Sequence, residues 1–251
     1  MSYAVRKAAE SGFYHVTLRG NGRQLLFNDE SDYRAFLGMA SDECAARGVV
    51  IIAYCLMGNH VHLILRIDPE KNGIETLSSA MHALALKFAR RFNAKTGHVG
   101  HVFQGRFGSK PIEDDAYLLE AVRYVHANPE TGGICALEEY PWSSYREYRG
   151  AQEFIDPTIV LEMLGGPDGF AAFCRESPAL AYRAPGGARV AQEEMLAVAR
   201  AALGDGEPRN VAGLPPAARD RAISRMRAAG LSIRQIERLT GIGRAIIAAA
   251  K

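Results

Sequence analysis

Two histidines one residue apart, His60 and His62, are the first feature of this sequence that could perform chemistry. They open the run from His60 to Leu65, whose apolar and β-branched character predicts a strand. Successive side chains of a strand point to opposite faces, so both imidazoles should project to the same side. Such a pair can bind a metal ion, although a histidine on a strand is also commonly a hydrogen-bonded surface or core residue.

A tyrosine and an asparagine four residues apart, Tyr124 and Asn128, offer a second set of groups. In the helix predicted to end near Asn128 they are neighbours on one face. A phenol has a pKa near 10, so its attack on phosphorus needs a metal that polarises the phosphate and a positive field that favours phenolate. His60, His62 and Asn128 could bind that metal. The alternative is that Tyr124 packs in the core and Asn128 caps the helix before Pro129.

Hydrophobic periodicity and turn residues predict the elements that must position these groups. They are a strand over 13–19, a helix over 29–47, strands over 49–56 and 60–67, a long helix opening at 73, a loop with a short strand over 98–110, and a helix over 116–128. An aromatic surface segment over 138–150 and a helical extension over 156–175 follow. The order predicts an α+β fold, a ferredoxin-like antiparallel sheet with helices on one face.

The C-terminal part differs in charge and composition. Residues 183–251 contain twelve Arg or Lys against six Asp or Glu, which makes this end a nucleic-acid candidate. We place a domain boundary near 180, with the domain and its helical extension in 1–180 and a flexible linker with a basic, all-helical tail in 181–251.

Helix signals in the tail predict a helix over 217–229, a second helix opening at a capping box that begins with Ser232, a turn over 240–243 and a last helix over 244–251. This helix-turn-helix-like extension has only two polar side chains in its would-be recognition helix, Arg244 and Lys251. A weak phosphate-binding or oligomerising tail is therefore the alternative to a sequence-reading one.

The overall composition is that of a soluble globular protein. The chain has 251 residues, of which 48% are hydrophobic and 23% charged, and this excludes disorder throughout. We find no window of 18 uninterrupted apolar residues and no apolar segment behind the first charges, so we expect a cytoplasmic, nucleoid-associated protein with no membrane partner. Four cysteines without a CxxC pair indicate reduced thiols rather than a disulfide framework or zinc finger.

Five motifs occur in consistent order over about residues 13–150. They are Tyr14-His-Val-Thr with Arg19-Gly-Asn, Met57-Gly-Asn-His-Val-His62, Gly100-His-Val-Phe-Gln-Gly-Arg106, Arg123-Tyr-Val-His-Ala-Asn-Pro129 and Tyr140-Pro-Trp-Ser-Ser-Tyr145. With these motifs the sequence resembles the REP-associated tyrosine transposases, a branch of the single-tyrosine HUH transposases of the insertion-sequence 200/605 class. The basic tail departs from that family's usual compact single domain.

This resemblance implies a chemistry for the residues already singled out. His60, His62 and Asn128 would bind a divalent ion, which we expect to be Mg²⁺ or Mn²⁺. Tyr124 would be the nucleophile that attacks single-stranded DNA at hairpin-forming repeats, forms a 5′-phosphotyrosine link and leaves a free 3′-hydroxyl. Tyr117, seven residues earlier, would be a reserve nucleophile or a base-stacking neighbour.

Basic residues supply the candidate DNA contacts. Arg106 comes first, because Phe103 and Phe107 beside it could stack on splayed bases; alternatively both rings are core residues and Arg106 is a solvated neighbour. The full set is Arg19, Lys87, Arg91, Arg106 and Lys110, with Arg234 and Arg244 in the tail. Single-stranded hairpins of repetitive palindromic elements are the expected partner, and a second copy of the chain is a candidate partner.

Three functions remain open from the sequence. The first is a metal-dependent tyrosine transposase that cleaves and transfers single-stranded DNA. The second is a domesticated, non-cleaving DNA-binding regulator of repeat elements, which would have no chemical need for the full set of His60, His62, Tyr124 and Asn128. The third is a replication or conjugation relaxase, for which the chain is short and lacks a helicase signature such as GxxxxGK[ST].

Overall fold

The computed structural model describes residues 8–150, 153–176, 182, 184–185, 195–204, 206–229, 231 and 233–250. The chain divides into two compact units, Met1–Gly186 and Gly187–Lys251. Each unit has its own hydrophobic core.

The first unit contains a four-stranded antiparallel sheet in the order β2-β3-β1-β4. Its elements are β1 (Phe13–Arg19), α1 (Glu30–Ala45), β2 (Val50–Met57), β3 (His60–Arg66), α2 (Ile74–Thr96), β4 (Gly108–Ile112), α3 (Asp115–Thr131), α4 (Thr158–Leu164) and α5 (Pro167–Arg175), with short 3-10 helices at Asn21–Arg23 and Ser144–Arg149. Through β4 this is the βαββαβ arrangement of a ferredoxin-like fold, as predicted.

Helices cover both faces of the sheet, not one. α1 and α2 pack on one face with inward residues such as Leu63 and Leu65, and α3, α4 and α5 pack on the other with residues such as Ile64. The helices on the second face were not predicted. The strand sequences lack the alternation of apolar and polar residues that a sheet with one exposed face would have. β2 and β3 are buried on both sides along most of their length, and two apolar faces need two layers of helix.

The aromatic segment expected on the surface is buried instead. Tyr140, Tyr145 and Tyr148 are all at most 6% exposed. The Tyr140 hydroxyl donates to the Leu56 carbonyl at 2.7 Å, and that of Tyr148 donates to the Ile52 carbonyl at 2.8 Å. The segment therefore covers the outer edge of β2, whose backbone would otherwise be an unpaired sheet edge.

The helix that carries Tyr124 also runs further than predicted. α3 continues through Pro129 to Thr131. Pro129 has no N–H for the Val125 carbonyl, but the Asn128 side-chain amide donates to that carbonyl at 3.3 Å and to the Tyr124 carbonyl at 2.7 Å. The asparagine thus replaces the backbone bond that the proline removes, and one further turn forms.

The second unit is helical in its described residues, with α6 (Met195–Ala202), a 3-10 helix (Pro208–Gly213), α7 (Pro216–Ala228), α8 (Ile233–Thr240) and α9 (Arg244–Ala249). The three predicted tail helices correspond to α7, α8 and α9. Ser232, the first residue of the predicted capping box, lies outside the described residues. Across the part of the chain that the structure describes, every helix is too short or too polar to cross a membrane.

Candidate active site

The two predicted histidines lie on one face of β3, next to β1. His60 pairs with Arg19 and His62 pairs with Thr17 across the two strands. The His60 and His62 rings have centroids 5.0 Å apart and stand nearly perpendicular. Burial, aided by the positive charge of Arg19, lowers the pKa of His60 to about 4, and burial holds the pKa of His62 well below its ordinary value. Both imidazoles are therefore neutral at physiological pH, which is the state that ligates a metal.

A third histidine that the sequence reasoning missed, His15 on β1, completes the cluster. Its Nε2 lies 2.8 Å from Nδ1 of His62, and its Nδ1 lies 2.6 Å from the hydroxyl of Tyr182. Burial and the nearby Lys110 lower the pKa of His15 to about 3, so it is also neutral. Tyr182, His15 and His62 form one hydrogen-bonded chain.

The direction of the hydrogen bonds along Tyr182, His15 and His62 determines whether Nε2 of His62 carries a lone pair or a proton. A neutral imidazole has one N–H and one lone pair. If His62 donates from Nδ1 to His15, its Nε2 carries the lone pair, and His15 then donates from Nδ1 to the Tyr182 oxygen. In the opposite order Tyr182 donates, and His62 presents an Nε2–H that cannot bind a metal. The chain is thus a two-state proton arrangement with one metal-competent state.

Tyr124 reaches this cluster from α3. Its ring centroid is 5.6 Å from that of His62 and 5.9 Å from that of His15. Burial raises the pKa of the Tyr124 phenol, and the charge of Arg19 acts in the opposite direction. His62 therefore lies beside both His60 and Tyr124, and the charge of Arg19 opposes the desolvation of a Tyr124 phenolate.

Asn128 lies one turn beyond Tyr124, where its amide nitrogen donates to the Tyr124 and Val125 carbonyls of its own helix. Those bonds occupy Nδ2, while a metal would need the carbonyl oxygen Oδ1. Asn128 thus does have the structural role at the helix end that was the alternative to metal binding, but it bonds carbonyls inside the helix rather than capping its last residue. It holds the amide in a fixed orientation and is compatible with ligation through the other atom.

The donor set fits a divalent ion that also binds substrate. Among the described residues no group of three or more His, Cys, Asp or Glu side chains is arranged to hold a metal. Two neutral imidazoles and one amide oxygen would leave the remaining positions for phosphate oxygens and water, as Mg²⁺ and Mn²⁺ sites commonly do. A metal-bound histidine usually has a hydrogen-bond partner on its other ring nitrogen, and for His62 that partner is His15.

Comparison with known proteins relates the segment that contains this cluster to a family. Residues 8–128, which contain His60, His62, Tyr124 and Asn128, match the family model described as "Transposase IS200 like". Through this segment, slightly less than half of the chain, the protein is similar to the IS200-like transposases. A comparison with curated proteins found no match.

Two solved structures are similar to this chain. A REP-associated tyrosine transposase bound to a REP hairpin has 19% identity and a TM-score of 0.48, over 62% of this chain and 94% of that one. A transposase candidate from Deinococcus radiodurans has 15% identity and a TM-score of 0.35, over 54% of this chain and 98% of that one. The similarity to the transposase family rests on the family model.

The predicted DNA-contacting cations of the first unit fall into groups by their surroundings. Arg19 and Lys110 lie at the histidine cluster, where Lys110 bonds the Tyr117 hydroxyl and sits 5.2 Å from the Tyr182 ring centroid. Lys87 forms an ion pair with Glu43, and Arg91 lies 3.5 Å from Asp32, both on α1. Carboxylates of α1 thus offset the charge of two α2 residues that were predicted to contact DNA.

The remaining predicted contacts lie elsewhere. Arg106 is exposed on the loop between α2 and β4, where Phe103 beside it is core and Phe107 is half-buried. In the second unit Arg234 is exposed on α8, and Arg244 forms a 2.6 Å ion pair with Glu237. Their DNA contacts stay predictions.

A sequence signal for His15 existed, whereas none existed for Tyr182. His15, Thr17 and Arg19 alternate along β1 and therefore share a face of the sheet. Pairing of β1 with β3 puts that polar face beside the histidines. Tyr182 lies outside any helix or strand, and only tertiary structure brings it to His15.

Proposed function

We propose that this chain is an IS200-like transposase, a single-stranded DNA endonuclease and strand transferase that acts at hairpin-forming repeats through Tyr124. The observation that carries the proposal is the approach of the Tyr124 ring to the neutral pair His60 and His62, with Arg19 alongside. A nucleophile, a pair of metal-binding imidazoles and a fixed cation are the groups that phosphodiester transfer requires.

Tyr124 and Arg19 have separate roles in the proposed reaction. The Tyr124 oxygen attacks the phosphorus and its proton passes to water. The bond from phosphorus to the 3′-oxygen breaks, and the departing 3′-oxygen takes up a proton from water. The products are a 5′-phosphotyrosine and a free 3′-hydroxyl. Attack of a 3′-hydroxyl on the phosphotyrosine reverses the step, so strand transfer needs no ATP. Arg19 favours the anionic phenol.

His60, His62 and Asn128 would hold the divalent ion, Mg²⁺ or Mn²⁺, which when bound supplies charge neutralisation to the phosphate. The histidines contribute as neutral donors because burial disfavours their protonated forms. The helix-anchored amide of Asn128 contributes an oxygen at a defined position on α3.

Covalent adduct formation tests the proposal. Purified protein is incubated with labelled hairpin-forming single strands, with Mg²⁺ or Mn²⁺ and with chelator, and resolved on a denaturing gel. We expect an adduct with wild type and with Tyr117→Phe, and none with Tyr124→Phe or with chelator. An adduct that persists in Tyr124→Phe would refute the assignment of the nucleophile.

A second candidate function is that of a non-cleaving regulator that binds duplex DNA through the second unit. It is favoured by the succession of α8, a three-residue turn at 241–243 and α9, with Arg234 exposed on α8. Tight duplex binding by the full chain that is lost in Arg234→Gln, with no adduct from wild type on any hairpin, would favour this candidate.

A further inference from the structure

A groove between α2 and the loop that precedes β4 is separate from the histidine cluster. Its volume is about 940 Å³, within the range of ligand-binding clefts. One wall is a stripe along α2 at four-residue spacing, formed by Ser78, His82, Leu86 and Arg90. The loop supplies the opposite wall with His101 and Arg106.

The groove has the charge of a nucleic-acid site. Its lining includes Arg90, Arg106, His82 and His101, and none of its described lining residues is Asp or Glu. Elsewhere on α2, Lys87 forms an ion pair with Glu43 of α1. The exposed side chain of Arg90, by contrast, has no carboxylate of the described residues within ion-pair distance. Positive potential is therefore available in the groove to attract phosphate.

The groove also has apolar surface suited to unpaired bases. Leu86 is 43% exposed on its wall, and Phe107 lies half-buried in its lining. A basic groove with aromatic and apolar surface binds single strands, because an unpaired base can leave its stack and lie against the protein. Bases inside a duplex cannot enter such a cleft without unpairing.

Backbone bonds join the groove to the candidate active site at one end of β1. The Gln104 N–H donates to the Arg19 carbonyl at 2.8 Å, and the Asn21 N–H donates to the Val102 carbonyl at 2.9 Å. Leu18 lines the groove, whereas Arg19, the next residue, pairs with His60 on the other face. The two sites thus lie on opposite sides of the same strand end.

We propose that this groove binds unpaired nucleotides of the same DNA strand that is cleaved at Tyr124. A strand that passes around the end of β1 places flanking bases in the groove and the reacting phosphodiester at the histidines. This inference rests on the proposed function for its substrate, and the groove then contributes to the choice of cleavage position.

Thiol footprinting tests occupancy without requiring cleavage. Cys44, Cys55 and Cys174 are buried and Cys135 is half-buried, so Leu86→Cys adds a readily modified thiol. In a Tyr124→Phe background, a hairpin with single-stranded flanks should slow alkylation of Leu86→Cys several-fold. The matched control is Val99→Cys, which is 93% exposed and outside the groove lining, and its alkylation should not change.

Charge removal gives the second measurement. Arg90→Gln should weaken binding of flanked hairpins and lower the salt dependence of log K by about one phosphate contact, while blunt hairpins bind as before. Lys71→Gln removes another exposed cation, one that lies outside the groove lining and is paired with Asp68, and it should have no effect.

Equal alkylation of Leu86→Cys with and without DNA would overturn the proposal, as would protection by blunt duplex alone. Protection at Leu86→Cys together with no adduct from wild type would support the groove and refute the nuclease assignment. An adduct from wild type without protection at Leu86→Cys would support the nuclease assignment and refute the groove proposal.

Discussion

The hydrogen-bonded chain from Tyr182 through His15 to His62 makes a prediction about metal affinity. Replacement His15→Phe preserves a planar ring of similar size and removes Nε2, which lies 2.8 Å from His62 Nδ1 and accepts its hydrogen bond in the metal-competent arrangement. His62 is 4% exposed, so water cannot readily take the place of that acceptor. Without that acceptor, the tautomer of His62 with its proton on Nδ1 and its lone pair on Nε2 is less stabilised.

The magnitude follows from the role of the bond. Loss of a partner that orients a metal-bound histidine typically weakens metal affinity by about 10–100-fold, or about 1.4–2.7 kcal/mol. Tyr182→Phe should produce a smaller loss of the same sign, because it leaves the Nδ1–H of His15 without the oxygen that lies 2.6 Å away.

Two measurements check this prediction. Titration with Mn²⁺, followed by electron paramagnetic resonance, gives the affinity for wild type, His15→Phe, Tyr182→Phe and the exposed-residue control His82→Gln. Nitrogen-15 chemical shifts report the tautomer of His62. If His15→Phe binds Mn²⁺ as tightly as wild type and His62 still carries its proton on Nδ1, the reasoning about the chain is wrong.

Three other predictions concern stability and the role of the asparagine. His126 is fully buried and burial lowers its pKa to about 3, so the unfolded chain binds its proton first and the stability of the fold should decrease as the pH falls below 6.5. In urea unfolding at pH 7.5 and 5.5, His126→Gln should therefore remove about 1 kcal/mol of the pH dependence, and an unchanged pH dependence would contradict this. Glu147 accepts from the Tyr54 hydroxyl and from three backbone N–H groups, so Glu147→Ala should cost about 3 kcal/mol or more in urea unfolding, and a loss below 1 kcal/mol would contradict this. Asn128→Asp lacks the donor for the helix carbonyls and retains an oxygen ligand, so melting should show lower stability while Mn²⁺ titration shows binding preserved; loss of binding would exclude ligation through oxygen.

Local patterns predicted those parts of the fold that local interactions determine. β1 begins and ends as predicted, and α1 and α3 open at aspartates whose side chains accept from backbone N–H groups, Asp29 and Asp114. The strand from His60 was predictable because a two-residue turn and an apolar run define it. Periodicity, capping and turns are properties of neighbouring residues, and the sequence displays them directly.

The features that were missed depend on contacts between distant segments. Tyr140 and Tyr148 were expected on the surface because they lie in an irregular aromatic stretch, yet they bond to carbonyls of β2, 84 and 96 residues away in sequence. Tyr182 reaches His15 across 167 residues. Composition does not reveal such contacts, because which sheet edge or which histidine a tyrosine meets depends on the topology.

Asn128 shows why a structural and a chemical interpretation of one residue need not compete. Its amide nitrogen serves the helix, by replacing the bond that Pro129 removes, and this same contact fixes where its oxygen points. His62 follows the same logic, since the nitrogen bonded to His15 determines what the other nitrogen can do. In both residues a polar contact, buried at His62 and half-buried at Asn128, satisfies the fold and at the same time orients the atom that the proposed chemistry needs. Preorganisation of this kind is how a small sheet domain can hold phosphate, metal and nucleophile in register.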